Sequence, residues 1–141
     1  MRDGCAYAGV SDLDNLVELA REFHEESPFA DRRFSPQGAR EYLAEFIKSH
    51  NAILIIGHGG AIGASWSESR IFHGRVVNEA FWYGGGLTLL REYMDWCERV
   101  GACGDVMGLM DNSKVDSERL LRVLEKFGYT IHERTLVRRR R

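Results

Sequence analysis

Residues 75–90 read Arg75-Val-Val-Asn-Glu-Ala-Phe-Trp-Tyr-Gly-Gly-Gly-Leu-Thr-Leu-Leu90, a strand pattern that runs directly into a helix pattern. The β-branched and aromatic residues of 75–83 favour a buried strand. Residues 87–100 have apolar side chains at helical spacing. The face predicted to be buried comprises Leu87, Leu90, Tyr93, Met94 and Cys97. A helix that starts from glycine offers unpaired amides at its positive end, so we predict an anion-binding site at residues 84–86.

Length and composition predict a single domain over residues 1–141, with 44% hydrophobic and 28% charged residues. The net charge of −2 provides no general attraction for nucleic acid or membrane. No apolar run approaches the roughly 20 residues of a membrane span, and residues 1–5 carry no signal-peptide pattern. Cys5, Cys97 and Cys103 are an odd number without metal-ligand spacing. We therefore expect reduced, mostly buried thiols in a cytoplasmic protein without a metal.

The hydrophobic pattern predicts the element order β-α-α-β-β-β-α-β-α-β, an α/β (α+β) fold with a mixed, mainly antiparallel sheet flanked by helices. Strands are predicted at 4–9, 52–56, 61–68, 75–83, 104–110 and 129–138. Helices are predicted to begin at Ser11 and at Ser35-Pro36, and to span 87–100 and 116–126.

This order and three stretches resemble the GNAT superfamily of acyl-CoA-dependent N-acyltransferases, over nearly the whole chain. The stretches are residues 76–83, residues 84–90, and Asp111-Asn112 followed by Leu124-Glu-Lys-Phe-Gly-Tyr129. The resemblance implies that the fourth and fifth strands splay apart and that acetyl-CoA, the cosubstrate, lies in the notch. The residues that it implies for acetyl-CoA binding are Phe81, Trp82, Tyr83, Gly84, Gly85, Gly86, Leu87, Thr88 and Asn112.

Two positions depart from the family pattern. The family's longer turn carries Arg or Gln where this chain has Phe81, and several turn residues are missing. Many members also have a tyrosine at Leu124 that protonates the leaving thiolate. The function predicted from the resemblance is acetyl transfer from acetyl-CoA to a primary amine by direct attack. The two departures motivate an alternative, a catalytically weak or inactive GNAT-fold interaction module.

Glu79 and Tyr83 are the candidate catalytic residues. Glu79 follows an apolar alternation with Val77, Phe81 and Tyr83, and burial would raise the pKa of its carboxyl, as a general base requires. The resemblance implies the same role. A glutamate paired with an arginine, or one that faces solvent at a bend, is an equally open interpretation. Tyr83 could replace the missing acid, but packing in a pocket wall is the preferred interpretation.

Other residues have weaker claims to a function. By resemblance, the loop with Glu25, Glu26, Phe29 and Phe34 covers the acceptor, although a solvated helix end with two phenylalanines folding back to the core is the preferred interpretation. Trp66 and Trp82 could line the acceptor side or belong to the core. The C-terminal arginines 138–141 could contact nucleic acid, but a frayed end is preferred. We expect acetyl-CoA and an amine as partners, neither membrane nor nucleic acid, and leave homodimerisation open.

Overall fold

The computed structural model describes residues 1–109 and 116–140, and these form one five-stranded sheet in the order β1-β2-β3-β4-β5. The strands are β1 (Cys5–Tyr7), β2 (Ala52–Gly57), β3 (Gly60–Glu68), β4 (Arg75–Tyr83) and β5 (Ala102–Val106). All neighbours are antiparallel except β4 and β5, which are parallel. The predicted mixed, mainly antiparallel sheet is confirmed.

Four helices cover the two faces of the sheet: α1 (Leu13–Glu25), α2 (Pro36–Lys48), α3 (Gly86–Arg99) and α4 (Ser117–Lys126). The first two pack on one face around Leu16, Leu43 and Leu54. The last two pack on the other face, where Leu90 and Leu124 share a core with β2, β3 and β4. No helix in the described parts of the chain is long and apolar enough to cross a bilayer.

Local sequence signals account for most element boundaries. The β2 run alternates between the two cores, with Ile53 and Ile55 on the α3 side and Leu54 on the α1–α2 side. The hydroxyl of Ser35 accepts from the Gly38 amide and caps α2, as its sequence predicts. A short 3-10 turn (Val10–Asp12) precedes α1, so this helix begins at Leu13 rather than Ser11.

Several boundaries predicted from the sequence were wrong. The first strand is shorter than 4–9, and the fifth starts at Ala102 and ends at Val106. The predicted final strand is absent from residues 129–138, which are in neither helix nor strand. Its apolar residues Ile131 and Leu136 are 58% and 93% exposed, so no apolar face stabilises pairing there. Cys97 is buried, but Cys103 is exposed, which corrects the expectation of mostly buried thiols.

The buried face of α3 is also rotated from the predicted one. Leu89, Tyr93 and Trp96 face the core beside Leu90 and Cys97. Leu87, in the first turn of the helix, is 41% exposed. The wrong stripe included Leu87 because its spacing to Leu90 also fits a helical repeat.

A bulge in β4 separates its two halves. Ala64 of β3 pairs with Glu79 and Gly63 pairs with Phe81, so Ala80 is the extra residue. Before the bulge, Val77 joins the core under α3, whereas after it Phe81 packs toward α1 and α2. The predicted common face of Val77, Phe81 and Tyr83 is therefore wrong, because the extra residue reverses the alternation.

We predict that Gly60→Ala destabilises the protein by about 1–3 kcal/mol, as overpacking does in a tightly packed interior. A Cβ at this position would lie 2.3 Å from the Gly84 carbonyl carbon and from the Gly85 nitrogen, both of which are backbone atoms. Urea denaturation measures the effect. Gly104→Ala is the control, because its Cβ would meet nothing within 4 Å. Equal stability of the two variants would contradict the close approach of β3 to the glycine turn.

Candidate functional site

The turn between β4 and α3 is built from glycines in the left-handed region. Gly84, Gly85 and Gly86 have φ of 72°, 79° and 63°. Three successive residues of this kind are strained for any side chain with a Cβ. At Gly85 a Cβ would also lie 2.4 Å from Leu89 Cδ2 and 3.0 Å from the Gly57 oxygen. The indole of Trp82 donates to the Gly84 oxygen at 2.8 Å, which fixes the first peptide of the turn.

The backbone amides at the start of α3 are directed away from the helix body. The first amides of any helix lack an acceptor four residues earlier. Within residues 1–109 and 116–140, no carbonyl is hydrogen-bonded to the amides of Gly85, Gly86 or Leu87. The N-terminal residue Gly86 and Leu87 are both exposed. The arrangement can accept an anionic group, since the positive end of a 14-residue helix lies there.

The edge of β4 that leads to this turn is open on one side. Pairing with β5 runs from Arg75 opposite Ala102 to Asn78 opposite Val106, and it stops there. The stretch 79–83 remains paired with β3 on its other edge. Among the described residues, β5 does not pair with residues 79–82, so an extended ligand with amide groups can pair along this edge.

Glu79 lies at the start of the open edge, beside the bulge. Its carboxyl is half-buried, and burial raises its pKa to about 7. The Gly108 amide donates to its Oε2 at 3.4 Å and opposes that rise. No salt bridge in the described residues includes Glu79, so the alternative of a structural arginine pair finds no support in the observed contacts. A carboxyl of this kind exchanges protons near neutral pH.

Tyr83 lies on the opposite side of the sheet from α3. Its side chain is 3% exposed and packs edge-to-face on Phe23 at 5.6 Å. The hydroxyl donates to Glu26 Oε2 at 2.9 Å. This environment is that of a wall residue, and the role of Tyr83 as an acid stays a prediction. Asn112, the remaining candidate, lies outside the described residues.

The inter-helix loop divides into inward and outward residues. Glu26 is half-buried through its bond to Tyr83, and Phe34 lies under the Arg21 guanidinium at 4.8 Å. Phe29 is 47% exposed.

Trp66 lies on a part of the sheet that is distant from the glycine turn. The Arg75 Cζ atom is 4.1 Å from the centroid of the Trp66 ring, and Trp66 also packs against the α3 core.

The C-terminal segment reaches this loop. Arg139 forms a salt bridge with Asp31 at 2.5 Å, and Arg32 donates to the Arg140 carbonyl at 3.3 Å. The predicted solvated, frayed end stays a prediction, since this ion pair is exposed and residues 138–140 are in neither helix nor strand. Exposed ion pairs of this type contribute little stability, so the contact orients the segment more than it holds the fold.

Two groups near the site could not be identified from the sequence. Tyr42 of α2 lies close enough to Glu79 for that carboxyl to contribute to the raised pKa of its phenol, after the larger effect of burial. Asp105 of β5 accepts from the hydroxyls of Tyr93, at 3.2 Å, and of Tyr129. The position of Tyr42 near Glu79 and the bonds to Asp105 join segments that are distant in the sequence, so no local pattern predicts them. Only the family resemblance indicated that the end of β5 belongs to the site.

Comparison with known proteins supports the fold through structure alone. No protein-family model matches the sequence, and no curated protein matches it. A solved structure described as a probable acetyltransferase is 17% identical, with complete coverage of both chains and a TM-score of 0.69. A GNAT family acetyltransferase from Staphylococcus aureus is 11% identical, with 96% coverage of each chain and a TM-score of 0.63. A structure described as a transcriptional regulator from Bacillus halodurans is 14% identical, with 96% of this chain and 97% of that chain covered and a TM-score of 0.71.

These similarities, together with the parted strands and the glycine turn, define the class: the chain has a GNAT-type fold. The resemblance inferred from the sequence is confirmed at the level of fold. At such identities the structural match shows the fold and not an activity.

The buried carboxyl of Glu79 makes the stability of the protein depend on pH. Its pKa is raised from 4.5 to about 7 on folding, so its protonated form favours the folded state. The stability from this group is complete below pH 4.5 and is lost as the pH rises through 7. At pH 8 the Glu79→Gln variant should therefore be more stable than wild type, by up to about 3 kcal/mol.

Urea denaturation at pH 5 and pH 8 measures this difference. Glu45→Gln serves as the control, since it removes an exposed carboxylate from α2. A Glu79→Gln variant whose stability relative to wild type is the same at both pH values would show that the carboxyl is not desolvated.

Proposed function

We propose that the protein is an N-acetyltransferase that transfers the acetyl group of acetyl-CoA to a primary amine by direct attack. The observation that carries this proposal is the end of β4–β5 pairing at Asn78, which opens the β4 edge toward a glycine turn and a helix N-terminus. Structural neighbours described as acetyltransferases support it.

In this proposal, acetyl-CoA extends along the open edge. The amide groups of its pantetheine arm pair with the backbone near Phe81, Trp82 and Tyr83. Its pyrophosphate accepts from the amides of Gly84, Gly85, Gly86, Leu87 and Thr88, where the helix dipole favours negative charge. The short turn is compensated by its rigidity, because Trp82 already holds it in place. Asn112, outside the described residues, would contact the pantetheine arm.

The chemistry needs a proton acceptor and little else from side chains. An alkylamine is mostly protonated at neutral pH, since its pKa is near roughly 10.4. Glu79, with a pKa of about 7, takes that proton, directly or through water. The amine nitrogen then attacks the thioester carbon, and backbone amides near Trp82 and Tyr83 stabilise the oxyanion. The C–S bond breaks, the CoA sulfur leaves as a thiolate, and the proton that the new amide nitrogen loses passes to this sulfur.

A protonating residue is less critical for this leaving group than for an alkoxide, because thiols titrate near roughly 8.5. This fact bears on Leu124, which is 2% exposed and fills the α3 core instead of facing the cleft. The proposed mechanism therefore relies mainly on positioning of the two substrates. Tyr83 stays the candidate for any acid that the reaction uses.

The binding proposal predicts that Leu87→Asp weakens acetyl-CoA binding at least about tenfold at low salt, because a carboxylate would face the pyrophosphate. Leu87 is 41% exposed, and an acidic residue in the first turn of a helix is favourable. The melting temperature of the free protein should therefore not fall. Isothermal titration calorimetry measures the dissociation constant.

Leu87→Asn is the matched control, since it has the same shape as Asp without the charge. It should bind acetyl-CoA within about threefold of wild type, and high salt should reduce the difference between the two variants. If Asp and Asn at this position bind acetyl-CoA equally at low salt, the phosphates do not lie at this turn.

The catalytic proposal predicts a kcat that rises with pH through about 7, as the Glu79 carboxyl loses its proton. Glu79→Gln should lower kcat by about a hundredfold or more at pH 7.5 and remove that limb of the profile. Thiol release from acetyl-CoA measures the rate. Full activity of Glu79→Gln, with the limb retained, would assign the base to another group.

A second candidate function is a GNAT-fold interaction module that does not transfer an acyl group. The buried Leu124 favours it, since no tyrosine is available at that position. A thermal shift assay separates the candidates, because a ligand that binds only the folded protein raises its melting temperature. No shift at millimolar acetyl-CoA would favour the module.

A further inference from the structure

A cavity of about 280 Å³ lies between helices α1 and α2 and the ends of β3 and β4. Its lining consists of aliphatic and aromatic residues, two of which are tyrosines. The lining residues are Leu16, Leu19, Ala20, Phe23, Ala39, Tyr42, Leu43, Ala61, Ala80, Phe81 and Tyr83. No charged side chain of the described chain lines it.

Aromatic rings dominate one wall of this cavity. The ring centroid of Phe81 lies 6.4 Å from that of Tyr42 and 5.6 Å from that of Phe46. The ring centroids of Phe23 and Tyr83 are 5.6 Å apart. Rings at these spacings favour a further ring in edge-to-face or offset contact. An apolar cavity of about 150 Å³ is known to bind benzene, so this one has room for a ring and a short chain.

Two carboxylates lie close to residues that line the cavity. Glu79 precedes the lining residue Ala80, and its carboxylate field reaches the Tyr42 phenol. Glu26 accepts from the Tyr83 hydroxyl. A cationic group attached to an apolar body therefore meets a carboxylate at the boundary and apolar atoms within. A polycation would leave its additional charges without partners in the apolar part, which is unfavourable.

We propose that the amine acceptor is a primary amine on a short chain that ends in a flat apolar ring, an arylalkylamine. This inference rests on the proposed function and specifies its substrate class. The ring occupies the cavity, and the ammonium lies beside Glu79, which takes its proton. The nitrogen then forms a bond to the acetyl carbon as the C–S bond breaks, and the second proton of the nitrogen passes to the CoA sulfur, giving an N-acetylated amide and free CoA.

The test compares 2-phenylethylamine with ethylamine, spermidine and an aminoglycoside as acceptors, using thiol release from acetyl-CoA. We expect kcat/KM for 2-phenylethylamine to exceed that for each of the others at least about tenfold, since only its ring fills the cavity. Faster reaction of spermidine or the aminoglycoside would overturn the inference and leave the proposed function intact.

Variants that fill the cavity test whether the preference for 2-phenylethylamine arises there. Ala39→Leu adds three carbons to the lining from α2, and Ala20→Leu does so from α1. Each should reduce the preference for 2-phenylethylamine over ethylamine at least about tenfold. Gln37→Leu, on the exposed side of α2, is the control and should keep the preference of wild type. An unchanged preference in both folded cavity variants would place the acceptor elsewhere.

Isothermal titration calorimetry with 2-phenylethylamine alone distinguishes a failure of the acceptor inference from a failure of the proposed function. If no amine releases thiol and acetyl-CoA leaves the melting temperature unchanged, the proposed function fails. Binding of 2-phenylethylamine to the protein, lost in Ala39→Leu and retained in Gln37→Leu, would still support the selectivity of the cavity. Absence of binding to wild type would overturn the inference as well.

Discussion

The early end of pairing between β4 and β5 is the feature on which the rest of the site depends. Among the described residues, β5 pairs with β4 only as far as Asn78, and a bulge at Ala80 turns Phe81 and Tyr83 toward α1 and α2. The end of β4 then leads into the glycine turn and the N-terminus of α3. Backbone polar groups of a strand are normally paired, so an open edge in the middle of a sheet is a natural place for an extended ligand.

The bulge also divides the chemistry between the two sides of the sheet. Val77 anchors the strand in the core under α3, whereas Phe81 and Tyr83 form a wall of the cavity under α1 and α2. Glu79 sits at the change of side, where burial raises the pKa of its carboxyl to about 7. Keeping this carboxyl half-buried lowers the stability of the ionised protein, and the proposed mechanism uses the same raised pKa for a base near neutral pH.

The sequence predicted the elements with local signals and missed those that depend on distant contacts. The apolar run of β2, the glycine turn and the Ser35 cap identify their elements directly. The bulge at Ala80 leaves no trace in composition, because the alternation around it reads as a regular strand. The exposed position of Leu87 depends on which face of α3 packs on the sheet, and the apolar spacing fits more than one face. Similarly, the pattern of residues 129–138 favours a strand, but only an apolar partner surface could have ordered it.

The most direct test of the central claim is an amide NMR titration of the full chain with acetyl-CoA. If the cosubstrate lies along the open edge of β4, the largest chemical-shift changes should occur at Phe81 and Trp82 and through the glycine turn to Thr88. The opposite edge of the sheet, at β1, should change little. Shifts that are absent at millimolar acetyl-CoA, or that map away from β4 and the start of α3, would contradict the account.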